Sequence, residues 1–214
     1  GIDLNMVNST IIIDGDFTDD DDNPRTFSAV AATAVIDFNI KMKKAVNPTP
    51  SNADNQNWVK DIIGKTLYIQ NQAGTHEYQV AFTEASSGTV GTGATSGART
   101  ATVLVKNTTS QTVATSAQLA TGLVQAIATF DSSSSPFSAA ASESDWGSTY
   151  GNSKVTITQN TAGTMASRTN LYFDRTNHYI PYNRGFSGGV ASSTTTVKSA
   201  GDKVQDLYGI LHNT

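Results

Sequence analysis

The sequence predicts an α+β chain that is mainly β. The expected architecture is an antiparallel sheet, or β-sandwich-like module, packed on one central helix, flanked by an extended N-terminal arm and a C-terminal amphipathic helix. Three observations predict it. Apolar residues alternate with polar ones in several short runs, as in VIDFNIKMK from Val35 and KVTITQ from Lys154, the period of a half-buried strand. One stretch, TSAQLATGLVQAIATF from Thr115 to Phe130, instead places Leu119, Leu123, Ile127 and Phe130 on one helical face. Hydrophobic residues make up 37% and charged residues 15% of the 214. The remainder is largely Thr, Ser, Asn, Gln and Gly, a polar but weakly charged composition unlike that of long disordered chains.

Read in order, the elements support that class. Ile11, Ile12 and Ile13 form a short strand ended by Asp14-Gly15. Asp19 to Asp22 are adjacent like charges that repel and stay in water, so they read as a solvated loop tip. A calcium loop is the sharper reading, but the Asp-x-Asp-x-Asp-Gly spacing is absent. From Val35, Ile36, Phe38, Ile40 and Met42 point one way, and Asp37, Asn39, Lys41 and Lys43 the other. The Pro- and Asn-rich stretch Asn47–Asn52 marks an internal boundary. Trp58, Ile62 and Ile63 suit a short helix ended by Gly64. Thr66–Gln70 and Thr75–Phe82 form a hairpin around the turn Asn71–Gly74. Ser86–Gly97 reads as a flexible loop and Thr100–Lys106 as a further strand.

The helix that follows carries its own start signal. Thr115 and Gln118 form a capping box, which satisfies two free donors of the first turn. Asp131 and the serines 132–135 stop it by competing for backbone hydrogen bonds. A polar loop with Trp146 and Tyr150 then leads to Lys154–Gln159, and Leu171–Phe173 is a last short strand. Ser187–Thr196 reads as a linker. Val197, Ala200, Val204, Leu207 and Leu211 follow at near-helical spacing, weakened by Gly201 and Gly209. That helix could cap its own domain or dock on a neighbour. The organisation expected is thus 1–50 as N-terminal strand and arm, 51–180 as the β-rich module, and 181–214 as linker and helix.

Composition narrows function. A net charge of −4 without a basic cluster gives no reason to expect nucleic-acid binding. Cysteine is absent, which removes disulfides and thiolate metal sites. No apolar run approaches the ~18 residues of a transmembrane helix, so no membrane partner is expected. The start GIDLNMVN lacks the regions of a signal peptide; removal of an initiator Met before Gly1 and cleavage from a longer precursor both fit it.

Few motifs carry chemistry. Gly185-Phe186-Ser187-Gly188-Gly189 matches G-x-S-x-G, with Asp206 and His212 following in hydrolase order. A nucleophile elbow needs a strand before and a helix after it, whereas Pro181 precedes this motif and Ser192–Thr196 follows. Gly91-Thr92-Gly93 and Gly97 lack phosphate-loop spacing. His76, His178 and His212 have no carboxylate at ligand spacing. No catalytic residue, metal site or cofactor is therefore expected. Asn8-Ser9-Thr10 and Asn107-Thr108-Thr109 match glycosylation tripeptides, too short to weigh. The stretch Asn170–Gly185 is dense in Tyr, Arg and Asn, residue types concentrated where proteins meet partners. Its candidate interface residues are Tyr172, Arg175, Tyr179, Tyr182 and Arg184, joined by Val204, Leu207 and Leu211 of the tail helix. A loop packed over its own core and a sugar-binding face are the alternatives.

The middle of the chain resembles a module of tailed-bacteriophage virion proteins. The resemblance rests on Gly74–Phe82, set against the module's G-T-x-x-Y/F-x-F strand after an Asn/Gly turn. It also rests on Ala117–Ile127, an Ala/Thr-rich helix whose A-x-L-A-x-x-L-x-x-A-I is close to the module's A-x-x-L-A-x-x-L-x-x-A-I, and on Val155–Gly163, a V-T-I-T-Q-x-T-A-G strand and turn. It covers about Lys65–Phe173, half the chain. It implies a noncatalytic particle component located in the virion and assembled in the host cytoplasm, with other virion proteins and further copies of itself as partners. A head decoration or cement protein is favoured within that class; a tail or head fibre, or a tail tube component, is the runner-up. A carbohydrate-binding module with a surface glycan as partner is the rival outside it.

Overall fold

A computed structural model describes residues 24–39, 61–148, 151–174 and 181–196. Its strands are β1 (Pro24–Phe27), β2 (Thr33–Asp37), β3 (Thr66–Gln70), β4 (Glu77–Ala85), β5 (Gly93–Gly97) and β6 (Thr100–Asn107), then β7 (Phe137–Ser142), β8 (Lys154–Gln159), β9 (Leu171–Phe173), β10 (Tyr182–Ser187) and β11 (Ser193–Thr196). The helix α1 (Ser116–Ala128) and the short α2 (Phe130–Ser133) lie between β6 and β7. The fold is α+β and mainly β, with one main helix, as the sequence predicts.

Contacts divide the chain into two units. One contains β1 and β11, paired antiparallel from Pro24 opposite Thr196 to Phe27 opposite Ser193. The other, Ala29–Ser192, contains every other described element. Its five-stranded sheet has the order β5-β6-β4-β3-β9 and its four-stranded sheet the order β10-β2-β8-β7. All pairs are antiparallel except β4 with β6. That parallel pair is possible because β5 carries the chain back before β6 inserts beside β4.

Burial follows the pleat. Leu67 and Ile69, then Tyr78, Val80 and Phe82, then Ala101, Val103 and Val105 face inward from the first sheet. Ala34 and Ile36 with Val155 and Ile157 face inward from the second. Helix α1 packs against β5 and β6 of one sheet and β7 and β8 of the other, burying Leu119, Leu123, Ala126 and Ile127. Phe130, just past its end, is buried too. Full burial of each large apolar side chain is worth about 1.5–3 kcal/mol. Aromatic rings tie the layers together: Phe82 of β4 meets Phe38 and Phe173, both at 6.0 Å, and Phe137 of β7 meets Tyr78 at 5.1 Å and Phe186 at 6.1 Å.

The capping box forms as predicted, with Thr115 accepting from the Gln118 amide and Gln118 accepting from the Thr115 amide. The sequence reading is corrected elsewhere. Gly93–Gly97 is the edge strand β5, not part of a flexible loop, and it lies against α1. Phe137–Ser142 is a strand inside the stretch read as a polar loop; FSAAAS lacks the β-branched residues that mark a strand in sequence. Tyr182–Ser187 and Ser193–Thr196 are strands rather than linker. Asp61–Gly64 is a turn rather than the end of a helix; Trp58 lies outside the described residues.

Strand β2 ends at Asp37, and Ile40 and Met42 lie outside the described residues. Asp37 and Asn39 alternate with Ile36 and Phe38 as read, yet both are 1% exposed. The Ile11–Ile13 strand, the Asp19–Asp22 run and the tail helix also lie outside the described residues. The boundaries expected near 50 and 180 are not those drawn by the contacts: β2 and β10 both belong to the sheet of β7 and β8.

Candidate functional site

Three polar constructions rise from this framework. The first is on the outward side of the five-stranded sheet. In β3, inward Leu67 and Ile69 leave Tyr68 outward, directly across from Tyr172 of β9. The two rings stack at 4.9 Å with only 8° between their planes. The Tyr172 hydroxyl donates to Glu77 Oε2 at 2.8 Å. Burial pushes the Tyr172 phenol up to about 12, helped by the hydrogen bond and charge of Glu77 and by Tyr68. The bond ties Tyr172 of the edge strand β9 to Glu77 of the central strand β4.

Of the predicted interface residues, Tyr182 and Arg184 lie on the exposed side of β10, in the other sheet. Tyr182 is 44% exposed. No bond joins them to Tyr172. Arg175, Tyr179, Val204, Leu207 and Leu211 lie outside the described residues. Sequence reasoning missed Tyr68 and Glu77. Their outward places on alternating strands were legible, but the register that sets Tyr68 against Tyr172 was not.

The second construction is a buried carboxylate. Asp37 accepts from the Ser144 hydroxyl at 2.6 Å, the Asn39 amide at 2.8 Å and the Ser153 hydroxyl at 3.5 Å. Ser144 also accepts from the Trp146 amide, and the Asn39 side chain donates to Gly147 O. Bonds of this kind stabilise a charge that would otherwise be costly to bury. They fasten residues 144–147 and Ser153 over the end of β2 while leaving Trp146 54% exposed.

The third is an open cleft of about 320 Å³ between residues 164–170 and the end of β10. Asn170, 4% exposed, joins its walls. Its Oδ1 accepts from the Phe186 amide at 2.7 Å, while its Nδ2 donates to Phe186 O and Ser167 O. The Gln72 side chain donates to Thr164 O, and the Ala166 amide donates to Gln72 O. A side chain at Gly189 would meet Gly163 O at 2.2 Å. Ser187 of the G-x-S-x-G match lines this cleft. Gly188–Ser192 leads into β11, so no strand–turn–helix elbow surrounds it. Asp206 and His212 lie outside the described residues.

The remaining motifs have structural places. Gly91 and Gly93 lie against α1: a side chain at Gly93 would meet Gly122 O at 2.0 Å. Asn107 of the second glycosylation tripeptide has its amide engaged with Gly88 O and with the Thr109 and Ser110 amides. His76 is exposed, and its amide donates to Asn71 Oδ1. Among the described residues no group of three His, Cys, Asp or Glu could hold a metal, and no helix is long and apolar enough to cross a membrane. No family model, no curated protein and no solved structure matches this chain.

Proposed function

We propose that the chain is a noncatalytic structural subunit of a tailed-bacteriophage particle, a decoration or cement protein that binds and stabilises the head lattice. One observation carries the reading. The three stretches that resemble virion modules are the β3–β4 hairpin, helix α1 and strand β8 with its turn, which together supply much of the Ala29–Ser192 core. The partners would be the major capsid protein and further copies of the chain, and the place of action the virion. Tail tube and fibre components share the same module, so position within the particle belongs to the test.

The experiment mixes purified chain with particles and follows co-sedimentation. Saturable binding to heads, weakened by Tyr182→Ala combined with Arg184→Ala, supports the reading. Binding to tails alone transfers it to the fibre or tube alternative. The Tyr68–Tyr172 stack favours a second reading, a carbohydrate-binding module, because an aromatic ring on an open sheet face can carry a sugar ring. Retention on polysaccharide columns, abolished by Tyr68→Ala, together with no binding to particles, would favour that reading over the first.

A further inference from the structure

The geometry points to a binding site for a carboxylate of an acidic peptide segment in the cleft between residues 164–170 and the end of β10, with Arg168 as its cationic anchor. The cleft is rich in donors. Arg168 lines it, and among the described residues no carboxylate or carbonyl takes its guanidinium. The Ser187 hydroxyl lies on the facing wall without a protein partner. The Gly188 and Gly189 amides donate to no carbonyl of the described chain. No Asp or Glu lines the cleft to satisfy these donors from within.

The shape is fixed before any ligand arrives. Asn170 spends both ends of its amide on the two walls. Gly189 has no room for a side chain, and Gly188 adopts a left-handed φ of +77°, a conformation that favours glycine. Both positions on that wall are thereby held to glycine, and the main ordering cost of binding falls on the exposed Arg168 side chain.

The same features choose among oxyanions. One guanidinium fork matches a planar monoanionic carboxylate in a bidentate pair, whereas a phosphate dianion calls for a second cation that the cleft lacks. Met165 and Phe186 add an apolar wall suited to the methylenes of a glutamate side chain. At about 320 Å³ the space is near the lower end of ligand pockets, enough for one side chain of an extended segment. The inference does not depend on the particle reading, since it names only the chemistry the cleft accepts.

Isothermal titration of the full chain tests it with three probes: acetylated and amidated tetraglutamate, the matching tetraglutamine, and inorganic phosphate. Tetraglutamate should bind at one saturable site, with tetraglutamine and phosphate at least about tenfold weaker. Arg168→Ala should lose about tenfold or more, and Arg168→Lys should fall between it and the parent. Lys106→Ala, a cation on β6 outside the cleft, should leave binding unchanged, and thermal melting should show both alanine variants folded. Absence of saturable binding would overturn the assignment. So would equal binding of tetraglutamine, tighter binding of phosphate, indifference to Arg168→Ala, or an equal loss in Lys106→Ala.

Discussion

At the scale of single residues, the informative side chains are polar groups inside an apolar core. Asp37 holds two hydroxyls and one amide, and truncating it would strand those donors in a dry site. Asp37→Ala should cost about 3 kcal/mol in urea unfolding. Asp145→Ala, which breaks only the surface pair with Lys154, should cost at most about 1 kcal/mol. Tyr78 is the second case. It is 2% exposed, and its hydroxyl donates to Asp131 Oδ2 at 2.6 Å. Burial first, then the hydrogen bond and charge of Asp131, raises its phenol from 10.0 to about 12. A phenol raised on folding contributes stability that is whole below the unfolded value and is lost as pH climbs through the folded one. Stability should therefore fall by about 2–3 kcal/mol between pH 10 and 12, and Tyr78→Phe should flatten that decline in melts recorded across the range. Neither environment is visible in the sequence. Asp37 occupies an outward position by alternation, and only the fold reveals that Ser144 and Ser153 cover it.

At the scale of elements, legibility tracked how much of an element's signal is local. Helix α1 announced both its apolar face and its cap because both repeat within a few residues. Strand β8 did the same through KVTITQ. Strands β5 and β7 did not, since GATSG and FSAAAS are held by neighbours distant in sequence and lack β-branched runs. The glycines of β5 are an instance of this. Gly93 lies so close to α1 that a Cβ would meet Gly122 O at 2.0 Å and Ala126 N at 2.4 Å, both unyielding backbone atoms. At Gly122 a Cβ would meet Gly91 O at 2.7 Å and the Val103 side chain at 2.9 Å. Alanine at 122 also gains about 1 kcal/mol of helix propensity, which offsets part of the clash. Gly93→Ala should therefore lower the melting temperature more than Gly122→Ala, and both should lower it. Equal or raised melting temperatures would mean that strand and helix are not pressed together.

At the scale of the whole molecule, the division into two units makes a claim about folding that can be set against the claim about binding. Every residue of the hydrophobic core, from Ala32 to Phe186, falls within Ala29–Ser192. That segment also contains both large sheets, α1 and all three polar constructions. In the central part of this unit, β3, β4, β6, α1, β8 and β9 were legible from local pattern. Strands β2 and β10 were assigned to flanking regions, because a strand that completes a sheet from far away in sequence leaves no local mark of its partner. A chain cut to residues 29–192 should therefore unfold in one cooperative transition, within about 1–2 kcal/mol of the parent, the size of an ordinary single-site change. Attachment need not follow the fold. If particles are gripped through the chain ends, the shortened chain should melt normally yet fail to co-sediment with heads. If they are gripped through Tyr182 and Arg184, it should bind as the parent does. The proposed contact through Tyr182 and Arg184 of β10, which lies within Ala29–Ser192, expects the second outcome. A shortened chain that melts normally yet no longer binds would move the contact to the chain ends.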